Sequence, residues 1–246
     1  MKTVGIVGFG SFGKFLAEKL SSHAKVRVYS HGGTESSWSA SLLEVAQSDY
    51  VVLAIPLDGY EKILFQIKPL LLESTVVIDV CSVKVVATAV LKRLLPDQPR
   101  VVTHPMFGPE SASIRVTGHT MVMCPSVSDQ SAYAVVKEFV ASLGITVIEM
   151  TPEEHDRQIA TVQGLTFFIA RALKDMKLNE LQLSTPSFRR LLHLAELEQH
   201  HSDQLFQTVQ LGNPYTMGVR QQFLAQATHI DDMLHKMVEL SGGQAI

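Results

Sequence analysis

Long basic runs are absent from this sequence, whose longest block of basic residues is a pair such as Arg189-Arg190 and whose formal net charge is -3. Nucleic acid and anionic membranes are therefore not expected as partners. No apolar stretch approaches the length that crosses a bilayer. The apolar start at Val4–Val7 breaks into glycines and reaches Lys14 without a signal-peptide cleavage pattern, so we expect a cytoplasmic protein.

Cysteine is also scarce. Cys81 and Cys124 are the only two, and each lies in an apolar stretch. This argues against a disulfide framework and against a cysteine zinc site, so we expect a reducing compartment and no metal. Hydrophobic residues make up 46% of the chain and charged residues 18%, which indicates a globular rather than a disordered protein.

The first 150 residues alternate between short β-branched runs and helical patterns such as Phe12–Leu20 and Ser131–Leu143. Most of the runs are apolar throughout, as in strands covered on both faces of a parallel sheet. We therefore predict a doubly wound α/β Rossmann domain over residues 1–150. Its strands are predicted at Thr3–Val7, Lys25–Tyr29, Tyr50–Ile55, Thr75–Asp79, Arg100–Thr103, His119–Met123 and Ile145–Glu149.

From Thr151 the pattern is helical only, which predicts an all-helical second domain over residues 151–246. Thr151 to Glu154 form a capping box, and Thr185-Pro186 and Asn213-Pro214 open further helices. Ile159, Val162, Ile169, Leu173 and Met176 keep helical spacing. The last helix carries an apolar stripe that is either a domain core or a seam against a second subunit: Phe223, Ala227, Ile230, Leu234 and Met237. We expect a homodimer.

A G-x-G-x-x-G pattern runs from Gly8 through Phe9, Gly10, Ser11 and Phe12 to Gly13. It follows a buried strand and opens an amphipathic helix, which is the context of a dinucleotide site rather than of a purely structural turn. Gly8 permits a tight turn, Gly10 lets the backbone approach a pyrophosphate, and Gly13 lets the helix lie close to the strand. The helix N-terminus would hold the phosphates.

The end of the second predicted strand reads Val28-Tyr29-Ser30-His31-Gly32, without an acid. NAD enzymes usually place Asp or Glu there to bind the ribose 2′-hydroxyl. Ser30 and His31 could instead donate hydrogen bonds to a 2′-phosphate, although His31 is equally compatible with an idle surface residue. NADP is therefore favoured, with NAD as the other possibility.

Two polar segments follow the fourth and fifth strands and face the same crevice. The first is Asp79–Lys84 and the second is Thr103–Ser111. A histidine at a strand end beside a nicotinamide is suited to remove a hydroxyl proton, because its pKa lies near neutral pH. His104 is the candidate base; a hydrogen-bonded structural histidine is the alternative.

These segments resemble the prephenate and arogenate dehydrogenases of tyrosine biosynthesis, especially the plant-type arogenate enzymes. The resemblance spans nearly the whole chain, and the run from His104 to Ser111 is specific. It is carried by Gly5–Gly10, Asp79–Lys84, Thr103–Ser111, Glu154–Asp156 and the Asn213-Pro214 break.

The resemblance implies an oxidative decarboxylation, in which hydride moves from the substrate ring to nicotinamide and carbon dioxide leaves as the ring aromatises. It makes His104 the base and Ser82 a hydrogen-bond partner of the same hydroxyl or of His104. Lys84 either orients the Ser82 loop or is solvated. The candidate substrate-binding residues are His155, Gln163, Ser111 and Arg189. His155 shares a predicted helix face with Ile159 and Val162 and points inward, as a wall of the cleft or as a core histidine.

Two positions depart from the family. Many members carry a second active-site histidine where this chain has Phe167, and many prephenate-type members carry an arginine where it has Leu197. With two cationic or donor groups missing, and with acidic residues such as Glu153 at the domain junction, arogenate and its ammonium group are favoured over prephenate. The acidic residues are equally typical of a helix first turn.

Two other functions compete. One is a small NADP-dependent reductase of the pyrroline-carboxylate or imine reductase type, which leaves Ser82 and the His104 motif unexplained. The other is a nucleotide-sensing protein without turnover, which Phe167 favours and His104 opposes.

Overall fold

A computed structural model describes residues 1–33, 35–125 and 129–240 of the chain. The chain divides into two compact units, Met1–Asp156 and the segment from Arg157 onward. The division falls six residues after the predicted boundary. The first turns of the helix at Pro152–Ile159 stay with the first unit because Asp156 accepts hydrogen bonds from the backbone of Lys84 and Val85.

Seven strands form one sheet in the first unit, in the order β2-β1-β3-β4-β5-β6-β7. All seven predicted strands are confirmed. They are β1 (Thr3–Val7), β2 (Lys25–Tyr29), β3 (Tyr50–Leu53), β4 (Val76–Asp79), β5 (Arg100–Pro105), β6 (Thr120–Cys124) and β7 (Thr146–Glu149).

One pair departs from the predicted parallel arrangement: β5 and β6 are antiparallel. A parallel connection needs a crossover, usually a helix, to carry the chain back along the sheet. Residues 106–119, which join β5 to β6, contain only turns and bends. The chain therefore re-enters the sheet from the same end.

Helices cover both faces of the sheet, which confirms the doubly wound Rossmann architecture. The core on one face contains residues of α2 (Leu42–Ala46), α3 (Tyr60–Ile67) and α4 (Val85–Leu94). The other face packs against α1 (Ser11–Leu20) and α5 (Gln130–Ser142). Because β1 lies between β2 and β3, the strand order reverses there, which puts the crevice of such a sheet at the carboxyl ends of β1 and β3.

The second unit is helical in its described residues, as predicted. α6 (Pro152–Ile159) runs into it from the first unit. It is followed by α7 (Thr166–Asp175), α8 (Pro186–Leu197), α9 (Asp203–Gln207) and α10 (Thr216–Leu240). None of the described helices is long and apolar enough to cross a membrane.

Two π-helical segments, Ala160–Leu165 and Thr208–Gly212, interrupt this unit. Because of the first segment, the prediction that Ile159 and Val162 share an inward face is wrong for Val162. Ile159 is buried, but Val162 is 56% exposed. A π-helical turn contains more than 3.6 residues and so rotates every later side chain away from the expected face.

The predicted helix starts agree with the structure in two of three cases. The capping box of α6 is present: the Thr151 N–H donates to Glu154 Oε2 at 2.9 Å, and the Glu154 N–H donates to Thr151 Oγ1 at 3.2 Å. Thr185 caps α8 through the Phe188 N–H. Pro214, however, lies in a turn before α10, where Asn213 Oδ1 accepts from the Tyr215 N–H and delays the helix to Thr216.

Candidate active site

The glycine-rich loop joins β1 to α1. Gly8 has a φ of +107°, and a Cβ there would lie 2.3 Å from the carbonyl oxygen of Ala54. A Cβ on Gly13 would lie 2.1 Å from the carbonyl oxygen of Gly8. Both positions therefore exclude larger residues: the first by its conformation and by contact with the segment after β3, the second by close approach of the helix to the loop.

Gly10 differs, because a Cβ there would meet no atom within 4 Å. It is the N-cap of α1 and, having no side chain, leaves the first N–H groups of the helix without a side-chain acceptor. Such N–H groups, together with the helix dipole, bind phosphate. Open space beside a bare helix N-terminus fits the pyrophosphate of a dinucleotide. The aromatic neighbours pack inward, with Phe9 against Trp38 and Phe12 against Phe15.

Ser30 and His31 follow β2 directly and lie beside this loop, since the Gly8 N–H donates to the carbonyl of Tyr29 at 2.8 Å. The Ser30 carbonyl accepts from the Gly33 N–H and closes a turn. Ser30 is half-buried and His31 is exposed. The end of β2 thus presents a hydroxyl and an imidazole where NAD enzymes present a carboxylate.

A buried polar network joins the ends of β4 and β5. Asp79 and Lys84 are fully buried and form an ion pair. Lys84 Nζ also donates to the carbonyl of Thr103 at 2.5 Å, and Tyr60 donates its hydroxyl proton to Asp79 Oδ1. Burial, followed by the charge of Asp79, raises the pKa of Tyr60 well above its usual value, so Tyr60 remains a donor. The interpretation of Lys84 as a solvated residue is wrong.

His104 lies in β5, one residue beyond this network, and is buried. Its Nδ1 lies 2.9 Å from Nε2 of His155, whose own Nδ1 lies 2.7 Å from Oδ1 of Asp156. Asp156 accepts the Lys84 and Val85 N–H groups, both at 2.8 Å. The first turns of α6 thus bring two further polar side chains to His104.

Both histidines are neutral at neutral pH. Burial lowers the pKa of His104 well below its ordinary value of 6.5, and His155 and Lys84 lower it further. Burial is also the largest cause that lowers the pKa of His155, and together with Lys84 it outweighs the opposing effects of the Asp156 and Asp79 carboxylates. A neutral imidazole is the form that accepts a proton. Nε2 of His104 makes no hydrogen bond within the described ranges, so it is the nitrogen left for a substrate.

Ser82 lies in the loop between β4 and α4 and is half-buried. In the part of the chain that the structure describes, no hydrogen bond joins Ser82 to His104, whose partner is His155 instead. Ser111 is exposed and hydrogen-bonds within its own loop, where it accepts from the Gly108 N–H at 3.0 Å.

Two candidate substrate residues lie in the second unit. Gln163 is in the first π-helical segment, and its Oε1 is buried without a hydrogen-bond partner among the described residues. Arg189 is exposed on α8, and its Nη2 lies 3.4 Å from the Ser184 carbonyl oxygen. The two residues therefore differ in kind: one is a buried acceptor and the other is a solvated cation.

Phe167, which stands where the resemblance implies a second histidine, packs against the ring of His201 with 4.3 Å between centroids. Glu198 is fully buried, and its Oε2 lies 3.0 Å from Nδ1 of His201. Its other oxygen accepts a hydrogen bond from Arg171. Leu197, at the predicted arginine position, is 38% exposed.

Sequence reasoning missed Asp156 and the roles of Asp79 and Lys84. Asp156 directly follows His155, so its presence beside a candidate histidine was a signal that could have been used. Asp79 ends β4, and Lys84 is the N-cap of α4 five residues later. Their pairing depends on how the loop between β4 and α4 closes, which residue spacing alone does not give.

The fold and the loop define a Rossmann-fold nucleotide-binding protein with a helical C-terminal unit. A model described as the nucleotide-binding domain of prephenate dehydrogenase matches residues 23–149, and one described as its dimerization domain matches residues 151–239. The chain belongs to the prephenate dehydrogenase family.

Two curated relatives are similar to this chain over most of its length. Arogenate dehydrogenase 2, chloroplastic, of Arabidopsis thaliana is 28% identical over 232 residues, covering 86% of this chain and 64% of that protein. The probable arogenate/prephenate dehydrogenase of Methanocaldococcus jannaschii is 24% identical over 198 residues, covering 76% of this chain and 44% of that protein.

The crystal structure of prephenate dehydrogenase from A. aeolicus, in complex with hydroxyphenyl propionate and NAD+, shares the fold. Its TM-score is 0.73 at 24% identity, with 97% of this chain and 92% of that chain covered. The chain spans less than two thirds of the length of the two curated relatives described above.

Proposed function

We propose that the chain catalyses the oxidative decarboxylation of arogenate to tyrosine, with NADP as the hydride acceptor. The observation that carries the proposal is His104, a buried and neutral imidazole at the carboxyl end of β5 with Nε2 available. Family membership supplies the reaction class, and the contacts of His104 suit the proton transfer that this reaction needs.

His104 Nε2 takes the proton of the ring 4-hydroxyl. The ring carbon that bears this hydroxyl loses its hydride at the same time and becomes carbonyl-like. The electrons of the breaking bond to the ring carboxylate then enter the ring, and carbon dioxide leaves. The proton returns to the oxygen of the new phenol. Because aromatisation drives the reaction downhill, the protein mainly aligns the reactants and manages one proton. Ser82 donates a hydrogen bond to the same hydroxyl.

Gly8 to Gly13 would hold the pyrophosphate of the cofactor at the N-terminus of α1. When bound, the nicotinamide accepts a hydride from the ring carbon that bears the hydroxyl. Ser30 and His31 favour NADP, because a hydroxyl and an imidazole can donate hydrogen bonds to a 2′-phosphate that a carboxylate would repel.

Gln163 supports arogenate as the substrate. Its buried amide oxygen lacks a donor among the described residues, and the α-ammonium group of arogenate is such a donor. Prephenate carries a keto group at that position, which can only accept. Phe167 and Leu197 replace a histidine and an arginine, and with the arginine goes a positive charge that would repel the ammonium group of arogenate.

α10 supports a homodimer. Its stripe of Phe223, Ile230, Leu234 and Met237 is between 36% and 57% exposed in the single chain. Apolar side chains at steps of three and four on a 25-residue helix are typical of a helix that packs against another helix. The stripe is therefore assigned to a second copy of the chain. Free, buried Cys81 and Cys124 favour a reducing compartment, and we assign the enzyme to the cytoplasm.

The test is an assay of nicotinamide reduction by absorbance, with arogenate or prephenate and with NADP or NAD in each combination. The largest kcat/KM is expected for arogenate with NADP. Equal or greater efficiency with prephenate would overturn the substrate, and Arg189 or Arg190 should then prove to anchor a carboxylate. Cofactor binding without reduction would point to a nucleotide-sensing protein. In a separate assay with NADPH and a cyclic imine, oxidation of the NADPH would point to a reductase.

A further inference from the structure

Three buried side chains form one line in the first unit: His104, His155 and Asp156. Their side chains are between 0% and 3% exposed. Nδ1 of His104 contacts Nε2 of His155 at 2.9 Å, and Nδ1 of His155 contacts Oδ1 of Asp156 at 2.7 Å. Each histidine thus uses a defined nitrogen, so the positions of the protons can be worked out from one end of the line.

The positions of the protons follow from Asp156, at one end of the line. Its Oδ1 accepts the backbone N–H of Lys84 and its Oδ2 accepts the backbone N–H of Val85, each at 2.8 Å. Backbone N–H groups can only donate, so both carboxylate oxygens act as acceptors. The same contacts place the carboxylate at the N-terminus of α4, where the helix dipole favours negative charge. His155 Nδ1 must therefore be the donor in its contact with Asp156.

A neutral imidazole carries one proton. With that proton on Nδ1, the Nε2 of His155 has a lone pair and accepts from Nδ1–H of His104. The proton of His104 is then on Nδ1, and its Nε2 has the lone pair. Burial keeps both rings neutral, since the pKa of each is lowered.

We propose that His155 and Asp156 are positioning residues that hold His104 in the tautomer with a free Nε2, the form that can take the substrate proton. This inference rests on the proposed function, in which His104 is the base. In the opposite tautomer Nε2 of His104 would carry a proton and could not accept another. His155 and Asp156 would therefore determine what fraction of the protein molecules has His104 in the tautomer that can accept the substrate proton.

Charged groups around the pair act in both directions. Lys84 lowers the pKa of both histidines, whereas Asp156 and Asp79 raise that of His155; burial is the largest cause for each ring, and both pKa values are lowered on balance. Once His104 has taken the substrate proton, its Nδ1–H still donates to His155, whose other nitrogen is fixed on a carboxylate. The line can share the positive charge without moving a side chain.

The direct test is nitrogen NMR of the protein labelled with ¹⁵N-histidine, recorded without substrate. Protonated and unprotonated ring nitrogens differ widely in shift, and the spectra of His104→Asn and His155→Gln assign the two rings. Nε2 of both rings is expected to be unprotonated and Nδ1 of both protonated. A proton on Nε2 of His104 in the wild-type protein would overturn the inference, whatever the variants do.

Asp156→Asn tests the consequence. The neutral amide has one acceptor oxygen where the carboxylate has two, so a negative charge no longer holds the proton on His155 Nδ1 and the tautomer with a proton on Nε2 of His104 becomes populated. We expect kcat to fall by roughly 100- to 10,000-fold, the usual loss on removing a general base, with that tautomer in the NMR spectrum. Asp97→Asn is the matched control, because it makes the same substitution at an exposed position in the turn before β5 and should leave both readouts unchanged.

The two readouts separate this inference from the proposed function. An active dehydrogenase with the opposite His104 tautomer would refute the positioning role alone. The expected tautomer in a protein that reduces no cofactor with either substrate would refute the proposed function, and the positioning role with it. A fall in kcat for Asp156→Asn with the His104 tautomer unchanged would also contradict the inference, because the loss would then have another cause.

Discussion

His104 is held by one nitrogen against His155, which leaves the other nitrogen for chemistry. Asparagine in its place keeps a polar group near His155 but cannot take up a proton at neutral pH. We expect His104→Asn to lower turnover by roughly two to four orders of magnitude while the dissociation constant of the cofactor changes little.

The measurement is kcat by absorbance of reduced nicotinamide, with cofactor affinity by calorimetry. His193→Asn is the control, since His193 is an exposed histidine on α8. Turnover that is unchanged in a protein of verified identity would remove His104 from the mechanism.

Ser30 is a second residue with a separable role, because it follows β2 beside the glycine-rich loop. A carboxylate there would repel a 2′-phosphate and bind a ribose hydroxyl instead. Ser30→Asp should lower kcat/KM for NADP and raise it for NAD, which shifts the ratio towards NAD.

Ser37→Asp, an exposed substitution of the same kind farther along the chain, should leave the ratio unchanged. Higher kcat/KM with NAD than with NADP in the wild-type protein would show that the NADP assignment is wrong.

At the scale of elements, the sequence predicted every strand and the helical second unit, because hydrophobic periodicity and capping residues act locally. The Thr151 and Thr185 caps are examples, since each needs only a hydroxyl three residues before a backbone N–H. Antiparallel β6 and the π-helical segments could not be predicted, because both depend on how the chain closes in three dimensions.

Some features of the candidate site could likewise be predicted from the sequence, and others could not. His104 and the glycine loop stand out in the sequence because each lies next to a strand end. Contact between His104 and His155 joins residues 51 positions apart, and the Asp79–Lys84 pair depends on a loop that bends back. Such contacts follow from tertiary packing, for which one sequence carries no periodic signal.

α10 is the element whose role is most readily tested. A charge introduced at Leu234 would have to be buried in the proposed dimer interface, which is costly. Leu234→Asp should therefore give a protein that is predominantly monomeric at sub-micromolar concentration.

Light scattering after gel filtration measures this. His229→Asp is the control, because a heptad that places the stripe at its a and d positions puts His229 on the outer side. A wild-type protein that is a stable and active monomer at the same concentration would contradict the proposed dimer.

At the scale of the whole molecule, the buried histidines make folding sensitive to acid. The pKa values of His104 and His155 are lowered by folding, so below their ordinary value of 6.5 the unfolded chain binds more protons than the folded one. The stability that comes from keeping both rings neutral is fully present above pH 6.5. It is lost as the pH falls from 6.5 towards the pKa values of the folded protein. The loss is about 1.4 kcal/mol per pH unit for each histidine that stays neutral.

Urea unfolding at about pH 7.5 and about pH 5.5 gives the free energies of unfolding, and His104→Asn should show a smaller difference than the wild type. Equal differences in the two proteins would mean that His104 is not neutral in the folded state.

In the proposed reaction, hydride transfer and decarboxylation occur together on arogenate. Its most direct measurement is the stoichiometry of tyrosine, carbon dioxide and reduced NADP formed from arogenate that is labelled at the ring carboxylate. The wild-type protein should give equal amounts of all three products, and His104→Asn should form each of them more slowly by about two to four orders of magnitude. Reduced NADP without labelled carbon dioxide, or no reduction at all, would contradict the proposed reaction.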